Sequence, residues 1–308
     1  MKMKKAKSSF RKELKRDWQL VLMITGPVII VILFMYLPMF GVLYSFQDVG
    51  IRTSFWENDW VGLKWFEQFF NSAYIGRYFK NTLTISISSL ISSMFTAIFL
   101  ALVVNEVKDG KFKRLAQSCT YFPNFISLTA LIGMMTTMLD PNNGVLNLAL
   151  QKWFGMQPTN FFMHNDYFLP LYVISGLWQG AGWSTIIYLG AITGIDPTLY
   201  EAAAIDGCGR LKRIWHITLQ GMKPIIVLTM IMNIGSLLSV GHTKVMLMQT
   251  SLNRGASDII STHVYEQGLK GMNFGYGTAV GFFNSLVNIT LLIIANKTAK
   301  KLTETSMF

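Results

Sequence analysis

Residues 194–219 read GIDPTLYEAAAIDGCGRLKRIWHITL, a polar and basic interruption between two of the most apolar stretches of the chain. Its local signals are those of two short helices joined by glycines. Asp196 suits a helix N-cap, and Pro197 suits the first helical position, where its missing N–H costs nothing. Leu199, Ala202 and Ala203 then share one face by i, i+3, i+4 spacing. Gly207 and Gly209 supply the break. In the second helix Leu211, Ile214 and Trp215 fall on one side and Lys212 and Arg213 on another, while Asp206 stands four before Arg210, where an ion pair is expected. Such a hairpin reads either as an element that touches another protein or as a linker lying against its own helices.

The flanking sequence sets the class. The 308 residues are 51% hydrophobic and 14% charged, with a mean hydropathy of +0.38, which points to a polytopic membrane protein. A span needs about 20 apolar residues, and residues 20–46, LVLMITGPVIIVILFMYLPMFGVLYSF, carry no charge. That run exceeds a signal-peptide core and reads as a retained first span. The second is 82–104, whose serines at 86, 88, 89, 92 and 93 suit close helix packing in lipid. The remaining spans are expected near 118–139, 168–192, 225–247 and 276–296. Pro123 and the run DPNNG threaten the third, and His242 and Lys244 threaten the fifth.

Charge placement supports six spans. With the amino terminus in the cytoplasm, 19 of the 27 Lys and Arg fall on the inner side, whereas the 16 acidic residues divide equally between the two sides. This is the positive-inside pattern. A five-span chain would move Lys297, Lys300 and Lys301 outside and weaken it. The net charge of +11 therefore reports orientation and not nucleic-acid binding. The predicted organisation is a basic cytoplasmic tail over 1–19, a six-span domain over 20–296 with a cytoplasmic loop at 193–224, and a cytoplasmic tail over 297–308.

Several chemistries are missing. There is no P-loop, no H-E-x-x-H and no C-x-x-C motif. Cys119 and Cys208 suggest neither a disulfide framework nor a metal site. The four histidines are scattered, and the spans hold almost no ionisable groups of the kind that carry proton or ion relays. Lys244, the nearest exception, is expected to snorkel from a helix end. Any solute movement must draw its energy from elsewhere.

Glu201-Ala202-Ala203, Gly207, Ile217 and Leu219 follow the pattern E-A-A, three residues, G, nine residues, I-x-L-P. With them the chain resembles the permease subunits of binding-protein-dependent ABC importers. Asp206 before the glycine is also typical. Gln220 stands where the family usually has Pro, with Pro224 four residues later. The segments VGLKWFEQFFNSAYIGRYFKNTL, GVLNLAL and IYLGAITGIDPTLYEAA resemble the carbohydrate branch, and both ends of the chain resemble the permeases for complex oligosaccharides and polysaccharides.

The resemblance implies an all-α type I importer permease in the bacterial plasma membrane, with both termini cytoplasmic. It implies that the hairpin couples to a separate ATPase dimer through Glu201, Ala202, Ala203, Asp206, Gly207, Ile217 and Leu219. ATP and Mg would be bound by that ATPase, and this chain would hold no cofactor and catalyse no reaction. The other implied partners are a second homologous permease, an extracellular solute-binding lipoprotein, the carbohydrate and the bilayer. A permease for an amino acid or another solute shares the hairpin, and a membrane enzyme or receptor that recruits a cytoplasmic partner is the reading from another class.

Sugars are held by aromatic faces with amide and hydroxyl partners. Trp178, Gln179, Trp183 and Tyr188 in the fourth span are therefore pathway candidates, although aromatic belts facing lipid look similar. Asn233, and Asn284 with Asn288 on one helix face, either contact substrate or bond neighbouring helices. The loops at 52–80 and 252–275 are expected to meet the binding protein, and the basic amino-terminal tail to lie at the inner lipid surface.

Overall fold

The computed structural model describes residues 16–50, 55–303 and 307. Most of the basic tail, at 1–15, and most of the last five residues lie outside that range. Among the described residues four helices are long and apolar enough to cross a membrane: α1 (Trp18–Phe46), α3 (Ile75–Glu106), α9 (Arg210–Ile234) and α13, whose apolar part is Phe274–Lys301. At 1.5 Å per residue the 32 residues of α3 extend about 48 Å. It ends at Val107, where Lys108, Asp109 and Gly110 stop the apolar run.

In α1 the α-helix passes through a π stretch at Ile32–Tyr36 into a 3-10 stretch at Leu37–Phe46 that opens with Pro38 near its start. Only its outer end is packed, against α13. The apolar length before it is uncovered within this chain. A two-residue antiparallel pair follows, β1 (Gln47–Asp48) with β2 (Asp59–Trp60), and the short α2 (Lys64–Phe70) is pinned to it where Trp65 Nε1 donates to the Gln47 carbonyl at 2.8 Å.

Three buried clusters follow one another along α3. The first joins Trp65 and Phe69 of α2, Tyr78 of α3 and Tyr276 and Val280 of α13. The second joins Ile85, Leu131, Phe168, Val245 and Met248. The third joins Ala97 and Ala101 of α3, Tyr188 and Ile192 of α7 (Asn165–Thr193), and Met222 of α9. Alanines let α3 approach α7 closely, as small residues do where lipid offers no hydrophobic drive between helices.

Two expected spans are revised. The third is not one helix: α4 (Lys111–Tyr121) passes into a 3-10 turn at Phe122–Phe125, the chain extends at Ile126, and α5 (Leu128–Met138) restarts with Ser127 as N-cap. Pro123 removes a backbone donor at this break. α6 (Val145–Phe154) then leads to α7.

The fifth span is displaced. α9 begins in the hairpin and ends at Ile234; residues 235–241 turn, and α10 (His242–Met248) is short. The hairpin's second arm and the fifth span are thus a single helix, with a π stretch at Ile214–Thr218 and Pro224 inside it. Two further helical pieces, α11 (Arg254–Ser257) and α12 (Ile260–Val264, continued as a π turn to Lys270), precede α13.

Non-helical backbone at membrane depth needs partners for its polar groups, and the chain provides them. Gln179 Nε2 donates to the Ile126 carbonyl at 2.7 Å. Ser86 Oγ donates to the carbonyl of Leu237, and Ser261 Oγ to that of Val240 at 2.6 Å.

Candidate functional site

The hairpin forms as its sequence suggests. The Asp196 carboxylate accepts the Thr198 N–H at 2.9 Å, and this backbone bond, with a second from the Thr198 hydroxyl, holds its carboxyl below the usual carboxylate range. α8 (Pro197–Ile205) ends where Gly207 takes a left-handed φ of 71°. The Cys208 N–H reaches back to the Ala203 carbonyl at 2.9 Å, which satisfies an orphan carbonyl of the last turn.

Tyr200 and Thr218 hydroxyls, 3.0 Å apart, tie the two arms together. The expected Asp206–Arg210 ion pair is absent among the described residues. The left-handed turn at Gly207 lies between them, so the four-residue spacing is not helical spacing.

No residue of α8 is buried. Ile205 is 87% exposed, Leu211 82% and Trp215 65%. Glu201, Ala202, Asp206 and Gly207 are exposed, while Ala203, Ile217 and Leu219 are half-buried. A linker lying against its own bundle would bury one face of α8, so that reading does not describe this hairpin.

A cavity of about 410 Å³ lies between α3, α7, the end of α9 and the turn at 235–241. Its polar lining comes from Ser86, Ser89, Ser93, Gln179, Asn233, Ser236 and Ser239, together with Lys244. On α3 the lining serines lie roughly 16 to 27 Å from the N-terminal end of the helix.

Lys244 corrects an expectation. It does not snorkel: it is 8% exposed, its Nζ donates to the Tyr172 carbonyl at 2.8 Å, and it sits over the Tyr172 ring at 4.3 Å from the centroid. The signal in the sequence is that it is the one Lys or Arg within the apolar stretch 225–247. The α3 serines have a second role besides packing, since three of them, at 86, 89 and 93, line this cavity.

The pathway candidates divide. Gln179 and Asn233 line the polar cavity. Trp178 is half exposed beside an apolar hollow with Met134, Met138 and Leu146. Trp183 is also half exposed and meets Phe125 edge-on at 6.3 Å. Tyr188 is buried, its hydroxyl 3.0 Å from that of Thr229, and joins α7 to α9. Asn288 bonds the turn after α9, and the Oδ1 of its face-mate Asn284 is buried with no partner among the described residues.

Residues 93–303 match the family described as the binding-protein-dependent transport system inner membrane component. The chain is 40% identical over 289 residues to the polygalacturonan/rhamnogalacturonan transport system permease protein YteP of Bacillus subtilis (strain 168), covering 94% of this chain and 90% of that one. It is 37% identical over 300 residues to protein LplB of the same organism, covering 97% and 94%. Among solved structures, a chain of a bacterial ABC transporter involved in the import of the acidic polysaccharide alginate superposes with a TM-score of 0.86 at 34% identity, covering 95% of this chain and 98% of that one. A second structure of a bacterial alginate ABC transporter, in complex with an alginate pentasaccharide-bound periplasmic protein, also superposes with a TM-score of 0.86. The chain belongs to this family of importer permeases, which gives it a transport role and not a catalytic one.

Proposed function

We propose that this member of the binding-protein-dependent permeases forms part of the pathway by which an ATP-driven importer takes up an oligosaccharide or a fragment of a complex glycan. One observation carries the reading: the exposed hairpin and the polar cavity are joined by a single helix. α9 runs 25 residues, about 38 Å, from Arg210 in the hairpin to Asn233 and Ile234 at the cavity. A displacement of the hairpin is therefore passed along α9, through the π stretch at Ile214–Thr218 and Pro224, to the cavity wall.

In this reading a cytoplasmic ATPase dimer binds ATP with Mg and closes. Each hairpin follows the ATPase subunit it docks in, and the permease pair turns from inward-facing to outward-facing. Alternating access by rigid-body motion of packed helices is the general device. Glu201 and Asp206 supply polar contacts at the docking surface, Ala202 and Ala203 keep it thin, and Ile217 and Leu219 anchor it to the bundle. The relatives' names and the alginate importer structures support a carbohydrate as cargo over an amino acid.

The second permease, the ATPase pair and an extracellular binding lipoprotein are proposed as partners. The site is the plasma membrane with both termini inside, as the charge bias suggests. Trp56 and Trp60, both exposed at the outer end, offer surface to the binding protein.

Uptake of a panel of labelled glycans by a strain lacking this gene, with and without the wild-type gene restored, tests the proposal. Loss of uptake for one glycan class, recovered on complementation, is the expected result. Unchanged uptake of every glycan would return the cargo to other solutes.

A further inference from the structure

The cavity is lined by a buried charge, Lys244, that has no ion-pair partner among the described residues. Lys244 is buried on α10, past the turn at 235–241 and against α7, and an ionisable group buried within a membrane protein is costly and is retained for a partner or a pathway. An ammonium has three donors, and one is used on the Tyr172 carbonyl. The Tyr172 ring face adds a cation–π contact. No carboxylate lies within 4 Å of Nζ among the described residues, and none of the residues lining the cavity is acidic.

Two further features are those of a built site. A Cβ at Gly176 would lie 3.1 Å from Lys244 Nζ, so a glycine there leaves the ammonium its room. Ser89, which also lines the cavity, has a buried Oγ with no hydrogen-bond partner among the described residues. A buried polar atom of that kind calls for a ligand or water.

We infer that Lys244 is the counter-charge for an anionic group on the transported sugar, so that the cavity takes carboxylate-bearing oligosaccharides of the uronic acid type in preference to neutral ones. The inference rests on the carbohydrate reading and narrows it. Serine hydroxyls and the Gln179 and Asn233 amides would meet the sugar hydroxyls, and the spare ammonium donors the carboxylate. A charge-assisted hydrogen bond of this kind is shorter and stronger than a neutral one.

The test is uptake by the complete importer of one uronic acid oligosaccharide and of its methyl ester, which differ only in charge. Permeases carrying Lys244, Lys244→Gln and Lys244→Arg are compared, normalised to assembled complex. The binding protein is the same in every arm, so a changed acid-to-ester ratio reports the permease. Gln retains a donor for the Tyr172 carbonyl, so a purely structural role survives that substitution.

The expected result is a preference for the acid in wild type and in Lys244→Arg that falls by about tenfold in Lys244→Gln. A ratio that is the same in wild type and Lys244→Gln overturns the inference while leaving glycan import intact. Absence of uptake of any glycan by the wild-type importer overturns the carbohydrate reading and this inference with it.

Discussion

Asn288 on the last helix holds the chain where the fifth span stops: its Oδ1 accepts the Leu238 N–H at 3.1 Å and its Nδ2 donates to Ser239 Oγ at 2.9 Å. The turn at 235–241 places backbone donors and acceptors at membrane depth, and this side chain satisfies one that no helix can. Asn288→Leu leaves the Leu238 N–H buried without a partner, at a cost of about 1–3 kcal/mol. A lower thermal midpoint of the detergent-solubilised complex is expected, with transport per assembled complex largely retained. A normal midpoint with lost uptake would reassign Asn288 to the substrate.

The third span depends on a close approach at Gly182. A Cβ there would stand 2.0 Å from the Thr120 carbonyl oxygen and 2.6 Å from its carbon, and that is backbone which cannot step aside. Gly182→Ala should therefore separate α4 from α7 and lower the yield of folded protein, at a cost of about 1–3 kcal/mol. Gly180→Ala, which meets nothing within 4 Å, is the control and should be neutral. Equal yields for the two would show that the helices tolerate separation.

Gly207 adopts φ 71° with open space around it. The constraint is conformational and not steric, so Asn, which tolerates the left-handed region, should support more uptake than Val. Membrane insertion should be unchanged in both variants. Equal uptake by Gly207→Asn and Gly207→Val would remove the turn from the mechanism.

On α12 His263 Nε2 lies 2.7 Å from the Tyr276 hydroxyl, and the ring stacks on Tyr78 at 4.5 Å. Burial holds the imidazole below its ordinary value, against Glu266, which favours the charged form. As pH falls through the usual histidine range the unfolded chain takes the proton first, so this residue's contribution to stability is present above about pH 6.5 and is lost in acid. Nearby Asp258, raised by burial, acts in the opposite direction. Thermal midpoints measured at about pH 7.5 and pH 5.5 should therefore drop less on acidification in His263→Gln than in wild type.

Legibility followed the range of the interactions. The first, second and sixth spans show as runs of apolar residues, and the cap at Asp196 and the turn at Gly207 are local chemistry. The break in the third span was visible as Pro123, but its partner Gln179 is 53 residues away. The fifth span misled because an apolar run from 225 to 247 reads the same whether it is straight or turned at 235–241. Lys244 looked like a snorkelling end group because its partner, the Tyr172 carbonyl, is 72 residues distant and reached only through the fold. The ion pair expected for Asp206 and Arg210 assumed a helix through a glycine that ends one.

Crosslinking reports whether the hairpin meets an ATPase. With Cys119 and Cys208 replaced by Ser, a single cysteine is placed at Ala203 on the hairpin or, as a control, at the exposed Trp153. The complete importer is then treated with a short reagent that is thiol-reactive at one end and photoreactive at the other, so that no cysteine is needed on the ATPase. The account predicts a covalent permease–ATPase adduct from position 203, with a yield that changes on ATP binding, and none from position 153. No adduct from position 203 in an assembled, transporting complex would contradict it.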